Sequence, residues 1–287
     1  KAFGNVKVVT AKKAVQHKIS GLGGIIGGAT AGATISNCSN SGSVQMTNKT
    51  SAALGYTIHV GGIAGRLYGG AVEIKHCTNS QRIQENQHNQ NPWTGYEANA
   101  VGGIVGSIGY LRDNTYSARI DDCHNTGPVY AYCGAGGGIA GYISNGTITN
   151  CTYIADKGIT RSAPGGGIAG VAEKSSISSC DINTGVLANQ DATEAKATAD
   201  AGGVIGEAVS SVVNGCRYFG AITSPANSGG IIGKADAASS AGVTTTCGFG
   251  GTVNGTTITE ETNLSTYAIG STTGTRGNFY FWNGVLQ

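Results

Sequence analysis

The stretch Gly137-Gly138-Ile139-Ala140-Gly141 decides the fold, because it is one of seven copies of the same five-residue word. The word reads Gly-Gly-(Ile/Val)-x-Gly, and its copies begin at Gly23, Gly61, Gly102, Gly137, Gly166, Gly202 and Gly229. Successive copies start 27 to 41 residues apart. A recurrence of this length predicts a solenoid, in which stacked units share one continuous core.

Two further anchors follow each word. The second is an Ile/Val-x-x-Cys segment, imperfect only in the last copy, which ends at Cys38, Cys77, Cys123, Cys151, Cys180, Cys216 and Cys247. The third is a single β-branched residue, usually after a glycine, and is found at Val44, Ile83, Val129, Ile159, Val186, Ile222 and Val253. Short β-branched anchors separated by Gly, Asn, Ser and Thr predict short strands and tight turns.

Three apolar anchors per unit predict three ladders of stacked side chains. One unit cannot bury its own apolar residues, whereas parallel stacking at about 4.8 Å places each strand against its equivalents above and below. The fold predicted is therefore all-β: a single-stranded, three-sided parallel β-helix of about seven to eight coils. The general rule for parallel crossovers predicts a right-handed helix.

The pattern also predicts three regions of the chain. Residues 21–255 form the β-helix, and residues 1–20 form a partial coil or a cap, because Gly4-Asn5-Val6 matches the third anchor. Residues 256–287 form a cap in which Phe279, Tyr280, Phe281 and Trp282 cover the last coil. Open strand edges invite further pairing, which is why both ends need covering.

Composition narrows the classes of partner. Charged residues make up 12% of the chain and the net charge is +2, so a nucleic-acid partner is not indicated. The sequence contains no run of about 18 apolar residues, so no membrane span is predicted. The chain starts at Lys1 without a signal peptide, and we expect a processed or trimmed form.

The cysteines are expected to be structural. Seven of the eight occupy one equivalent position per coil, which favours free thiols in an interior ladder, although disulfides between adjacent coils stay an alternative; Cys133 lies outside the ladder. One repeated position cannot build a tetrahedral cage, and His76 and His124, beside two of the cysteines, are expected to face outward. We therefore expect no metal and no cofactor.

Two groups of residues are candidates for function. Asp121-Asp122, with Arg119 nearby, resembles one element of the polygalacturonase site, but the companion elements are absent and no catalytic residue is predicted. Aromatic and polar side chains in two long insertions are typical of a sugar-binding surface, although they also suit packing within their own loops. These candidate ligand-binding residues are Trp93, Tyr96, Tyr110, Arg112 and Tyr116.

The motif itself resembles that of a known family. The segment Ile35-Ser36-Asn37-Cys38-Ser39-Asn40-Ser41-Gly42-Ser43-Val44, after a Gly-Gly-Ile-x-Gly word, is similar to the GLUG repeats of bacterial surface proteins, and the resemblance runs from Gly21 to Val253. It implies an extracellular or cell-surface location and a non-catalytic, adhesin-like domain that presents corner loops to a glycan or a surface protein. The alternative is a polysaccharide-active enzyme, a lyase or glycoside hydrolase, on the same fold.

Overall fold

The chain folds into a parallel β-helix, as the repeat predicts. The computed structural model describes residues 6–10, 19–30, 32–48, 57–86, 99–109, 117–132, 134–155, 158–161, 164–188, 200–224, 226–242, 246–274 and 279–285. Every strand pairing among them is parallel except the hairpin that joins two strands near the C-terminal end. None of the described helices is long and apolar enough to cross a membrane.

The strands follow one another coil by coil. A single strand precedes the first coil, β1 (Val6–Thr10). The first coil contains β2 (Ile19–Gly23), β3 (Ile26–Thr30), β4 (Thr34–Ser36), β5 (Ser39–Asn40) and β6 (Val44–Asn48). The second contains β7 (Thr57–Gly61), β8 (Ala64–Tyr68), β9 (Ala71–Lys75), β10 (Thr78–Asn79) and β11 (Ile83–Asn86). The third contains β12 (Ala100–Gly102), β13 (Val105–Ile108), β14 (Ser117–Asp121), β15 (His124–Asn125) and β16 (Val129–Ala131).

The later coils repeat this order until the C-terminal end. The fourth contains β17 (Ala135–Gly137), β18 (Ala140–Ser144), β19 (Gly146–Thr149), β20 (Thr152–Ile154) and β21 (Ile159–Arg161). The fifth contains β22 (Gly165–Gly166), β23 (Ala169–Glu173), β24 (Ser176–Ser178), β25 (Asp181–Asn183) and β26 (Val186–Ala188). The sixth contains β27 (Ala201–Gly202), β28 (Ile205–Val209), β29 (Val212–Asn214) and β30 (Arg217–Thr223). The remaining elements are β31 (Ser228–Gly229), β32 (Ile232–Ala235), α1 (Ala237–Ala241), β33 (Gly248–Val253), β34 (Thr256–Ile258), α2 (Leu264–Ala268), β35 (Ile269–Thr272) and β36 (Tyr280–Phe281).

Stacking the coils produces four sheets, which we number by their order along a coil. Sheet 1 runs β2-β7-β12-β17-β22-β27-β31, and sheet 2 runs β3-β8-β13-β18-β23-β28-β32-β35. Sheet 3 has the six strands β4, β9, β14, β19, β24 and β29. Sheet 4 collects the other fifteen strands, because the long β30 joins two ladders that are separate in the earlier coils.

The three predicted ladders therefore sit in a coil of five strands. The third anchor, such as Ile83 at the start of β11, lies in a strand ladder, and so does the Ile or Val of the second anchor, such as Ile74 in β9. The first anchor lies at a corner between two strands: the N–H groups of Ile63 and Ala64 both donate to the carbonyl oxygen of Ile104 in the next coil, at 2.9 and 3.1 Å. The cysteine anchor also lies between strands, as Cys77 does between β9 and β10. Apolar anchors mark corners as well as strands because side chains at a corner also point into the narrow core.

The Gly-Gly word is glycine-rich because each of its three glycines contacts backbone closely. A Cβ atom on Gly61 would lie 2.0 Å from the carbonyl oxygen of Ala64, and one on Gly62 would lie 2.2 Å from that of Gly103. A Cβ atom on Gly65 would lie 2.2 Å from the backbone nitrogen of Leu22. Real Cβ atoms do not approach backbone this closely, so the word is a structural corner rather than a ligand loop.

A column of left-handed residues explains the asparagine before the cysteine. The residue that precedes each of six ladder cysteines has a positive φ: Asn37 (54°), His76 (52°), Asp122 (48°), Asn150 (54°), Ser179 (53°) and Gly215 (61°). Asn and Gly adopt this conformation at little cost, and Asp and His are also enriched there. This left-handed corner, rather than simple strand alternation, separates the exposed side chain of His76 from the buried thiol of Cys77.

Buried amides connect the first three coils inside the core. The side chain of Asn40 donates to Asn79 Oδ1 (2.7 Å), that of Asn79 donates to Asn125 Oδ1 (2.8 Å), and that of Asn125 donates to the carbonyl oxygen of Gly138 (2.9 Å). In the later coils the same register position is apolar or aromatic, and it holds Tyr153, Ile182, Tyr218 and Phe249. The ladder thus changes from hydrogen bonding to packing half-way along the solenoid.

Both ends carry elements that extend the coils. Strand β1 pairs with β6 so that Val6 is opposite Val44, the register in which Val6 acts as a third anchor. At the other end β36 pairs with β33, Trp282 is 6% exposed, and the ring of Phe279 meets that of Phe249 edge-on at 6.2 Å. The limits of the three predicted regions and the handedness of the coil stay predictions.

Candidate functional site

A long concave surface runs along the outer face of sheet 3. It has a volume of about 910 Å³ and extends from the first coil, at Thr34, to the sixth, at Val212. Six strands at about 4.8 Å spacing make it about 24 Å long. Its lining is dominated by small and hydroxylated side chains, including Ser117, Thr147 and Ser176.

The floor of this groove is one row of outward-facing residues. Strand register aligns Thr34, Glu73, Arg119, Thr147, Ser176 and Val212 across the six coils. Its charged members are Glu73 and Arg119, and Lys174 lies on one wall. Each of the two floor charges has an intrastrand partner, since Lys75 binds Glu73 at 2.8 Å and Asp121 binds Arg119 at 3.0 Å. A long, shallow, largely neutral groove suits an extended polar ligand better than a small charged one.

Asp121, one of the two carboxylates singled out in the sequence, is held by three side chains. Its Oδ1 accepts hydrogen bonds from Thr149 (2.6 Å) and Asn150 (3.1 Å), and its Oδ2 accepts one from Arg119 (3.0 Å). The Thr149 hydroxyl, supported by Arg119 and Asn150 and opposed by partial burial, lowers the pKa of Asp121. The residue is therefore ionised near neutral pH and ties the third coil to the fourth.

Asp122 lies between two histidines. His76 Nδ1 is 2.8 Å from Asp122 Oδ2, and His124 Nε2 is 3.1 Å from Asp122 Oδ1. His124 Nδ1 also contacts the hydroxyl of Thr152 at 2.8 Å. All four carboxylate oxygens of the aspartate pair thus have side-chain partners, which agrees with the interpretation of these residues as polar turn residues. Sequence reasoning did not predict this histidine–aspartate cluster, because its members come from different coils.

A serine–histidine pair also occurs, but it is inside the protein. Ser107 Oγ is hydrogen-bonded to His59 Nδ1, and both residues are 0% exposed. A nucleophile and base that act on a polymer must reach solvent. The pair therefore connects sheets 1 and 2 and is not presented to a ligand in this conformation.

The predicted ligand-binding residues lie outside the described residues. Trp93 and Tyr96 belong to residues 87–98, and Tyr110, Arg112 and Tyr116 belong to residues 110–116. The ends of the two insertions are described and lie at different corners. The first connects sheet 4 to sheet 1, whereas the second connects sheet 2 to sheet 3 and ends at Ser117, which lines the groove.

The seven repeat cysteines share one environment. No disulfide joins them; Cys38 is half-buried, and the other six are fully buried. Burial, together with hydrogen bonds from Cys151 and Cys216, raises the pKa of the Cys180 thiol. Cys133, the eighth cysteine, lies outside the described residues. Across the described part of the chain, no group of three or more His, Cys, Asp or Glu side chains is arranged to hold a metal ion.

Comparison with known proteins agrees with the repeat and the fold. A family model described as the GLUG motif matches residues 20–45. This chain carries the GLUG motif. The remaining units of the chain stack in register on the matched one, as Ile83 does on Val44. The match confirms the resemblance to the GLUG motif over the first unit.

A solved structure shares the architecture of this chain. It is from Bacteroides ovatus and is named a "putative immunoglobulin A1 protease"; it superposes with a TM-score of 0.53 at 17% sequence identity, covering 90% of this chain and 78% of that one. At this identity the likeness concerns the fold alone. Among curated proteins no match was found.

Proposed function

We propose that this chain is a non-catalytic, adhesin-like domain of a bacterial cell surface that binds an extended glycan along the groove of sheet 3. The groove carries this proposal, because it is a continuous concave space of about 910 Å³ that extends over six coils. Hydroxyl groups such as those of Thr147 and Ser176 recur there at the coil spacing, and they can both donate to and accept from sugar hydroxyls.

The insertion that carries Tyr110, Arg112 and Tyr116 would add to this surface. The described residue that follows it, Ser117, lines the groove, and aromatic side chains such as those of this insertion can stack on sugar rings. The insertion with Trp93 and Tyr96 starts from another corner, and we propose a separate contact with a glycan or a surface protein for it. The surface location is supported by the GLUG motif and by its resemblance to bacterial surface repeats.

The polysaccharide-active enzyme, the alternative from the sequence, lacks support in the described residues. Such an enzyme needs a carboxylic acid that can give up or take a proton beside the ligand. Asp121 has a lowered pKa and three partners, and Asp122 is bound by two histidines. These contacts favour binding over chemistry at the aspartate pair.

Two tryptophan substitutions test the groove directly. Thr147→Trp should fill its floor and reduce binding on a glycan array at least tenfold, whereas Thr78→Trp places the same ring at an exposed position on β10, outside the lining. Tyr110→Ala and Tyr116→Ala should weaken the same signals. Equal binding by the Thr147 and Thr78 variants would refute a groove site, and absence of binding to every glycan tested would refute the glycan as ligand.

A further inference from the structure

The column of seven cysteine thiols has a geometry that the proposed function does not use. We propose that neighbouring thiols in this column form binding sites for soft, divalent d10 metal cations in two-coordinate geometry, one cation between each pair of sulfur atoms. The argument depends on the spacing of the sulfur atoms, their common orientation, and the charge of the product.

The thiols share one orientation. In each of six cysteines the Sγ atom donates to the carbonyl oxygen two residues earlier, at 3.4, 3.3, 3.3, 3.2, 3.2 and 3.6 Å for Cys38, Cys77, Cys123, Cys151, Cys180 and Cys216. Sulfur atoms also approach a carbonyl oxygen of the preceding coil at 3.7 to 3.9 Å, as Cys77 does with Ile35 and Cys123 with Ile74. Equivalent side chains in equivalent rotamers are related by one coil translation, so successive sulfur atoms are about 4.8 Å apart.

That separation suits a bridging metal better than a disulfide. A disulfide needs an S–S bond of about 2.05 Å and Cβ atoms about 3.5–4.5 Å apart, which in-register parallel strands do not provide without backbone movement. A cation with two metal–sulfur bonds of about 2.3 Å in a line separates its sulfur atoms by about 4.6 Å. Thiolates are the ligands that soft cations select. Two ligands suffice for linear coordination, so no cluster of three side chains is required.

The reaction balances without an oxidant. A divalent cation such as Hg(II) combines with two thiols, M²⁺ + 2 RSH → M(SR)₂ + 2 H⁺, and no atom changes its oxidation state. The product is neutral, which matters because an isolated charge inside the core would be strongly unfavourable. Cations reach the column most readily at Cys38, the half-buried thiol of the first coil.

If each cation binds two neighbouring thiols, the number of cations bound should alternate with the position of the cysteine that is removed. Seven thiols in line accommodate three separate pairs and leave one thiol over. Removing Cys38, at the end, leaves six contiguous thiols and still three pairs. Removing Cys77, the second, isolates Cys38 and leaves five contiguous thiols, hence two pairs. The same count gives three pairs without Cys123 and two without Cys151.

The experiment titrates Hg(II) into the folded chain in a Cys133→Ala background, which removes the thiol outside the column. After dialysis against a monothiol that strips singly bound mercury, the bound metal is counted by mass spectrometry. We expect three Hg per chain for the background and for Cys38→Ala, but two for Cys77→Ala and Cys151→Ala. X-ray absorption should show two sulfur neighbours per Hg, and circular dichroism should show that each variant keeps its β-helix.

Two outcomes would overturn the proposal. Equal loss of mercury from the Cys38 and Cys77 variants would show that the thiols bind independently. One sulfur neighbour per Hg, or three, would show that the sites are not the linear pairs that strand spacing predicts. Cys151→Ala repeats the test of the even-numbered positions, so the result does not depend on the folding of a single variant.

Discussion

Replacing Gly103 by alanine should destabilise the solenoid strongly, because the added methyl group has no space. Gly103 is the second glycine of the third word, and its Cβ would lie 2.0 Å from Asn125 Nδ2 and 2.1 Å from the carbonyl oxygen of Gly138. Neither neighbour can move freely. The amide belongs to the buried asparagine ladder, and the carbonyl belongs to the corner of the next coil.

The expected magnitude follows from these two contacts. Overpacking a well-packed core costs about 1–3 kcal/mol. Displacing the Asn125 amide breaks its hydrogen bonds to the carbonyl oxygens of Gly127 (3.0 Å) and Gly138 (2.9 Å). Each contributes about 1 kcal/mol, so we expect the free energy of unfolding to fall by about 3–5 kcal/mol.

Gly28→Ala, in β3 of the first coil, provides the matched control. Its Cβ would meet only the carbonyl oxygen of Arg66, at 3.5 Å, which is ordinary van der Waals contact, and the site is exposed. We expect between no change and about 1 kcal/mol of stabilisation there, because alanine restricts the unfolded chain.

Urea unfolding followed by far-ultraviolet circular dichroism measures both variants. Since solenoid units interact mainly with their neighbours, hydrogen exchange should show the loss of protection centred on β12 and β13. A Gly103→Ala change within about 0.5 kcal/mol of the control's would refute the close packing of the word.

Three further predictions concern other parts of the solenoid. Asn79→Leu should cost about 2–3 kcal/mol because it removes the hydrogen bonds of the Asn79 amide to Asn40, Asn125 and the carbonyl oxygen of Gln81, whereas replacing all three ladder asparagines with leucine should cost less than three times as much in urea unfolding. The Thr149 hydroxyl lowers the pKa of Asp121 below its unfolded value of about 3.9, so its stabilisation holds above about pH 4 and is lost as pH falls through the folded pKa. Asp121→Asn should therefore flatten the pH dependence of thermal unfolding in acid; an unchanged acid profile would contradict this. Trp282→Ala should cost about 3–5 kcal/mol and expose β33 to hydrogen exchange, and unaltered exchange there would contradict a capping role.

The architecture was predictable because its signal is repeated. A single Gly-Gly-Ile-x-Gly word indicates little, but seven copies with a cysteine and a β-branched residue in fixed order predict a parallel stack. Register followed as well, since Val6, Val44 and Ile83 align in the structure as the third anchors predict. The repeat can be recognised in the sequence because each coil packs against equivalent coils above and below it and therefore needs the same residues at the same positions.

The number of strands per coil could not be predicted in the same way. The sequence pattern predicted strand positions for corner anchors such as Ile63 and Cys77, because both corner and strand residues are buried and apolar. The left-handed column and the asparagine ladder were also missed. Both depend on backbone angles and on contacts between residues about 40 positions apart.

The sequence by itself determined the parallel stacking, the anchor positions and the resemblance to GLUG repeats, because the same anchor residues recur in every coil. Only the tertiary structure decided where the surface is concave and which polar groups meet. The groove of sheet 3, the contacts of Asp122 with His76 and His124, and the orientation of the thiols each bring together residues from more than one coil. Strand spacing sets those distances. Because the segments between anchors vary in length and sequence, the sequence alone does not show which of their side chains become neighbours.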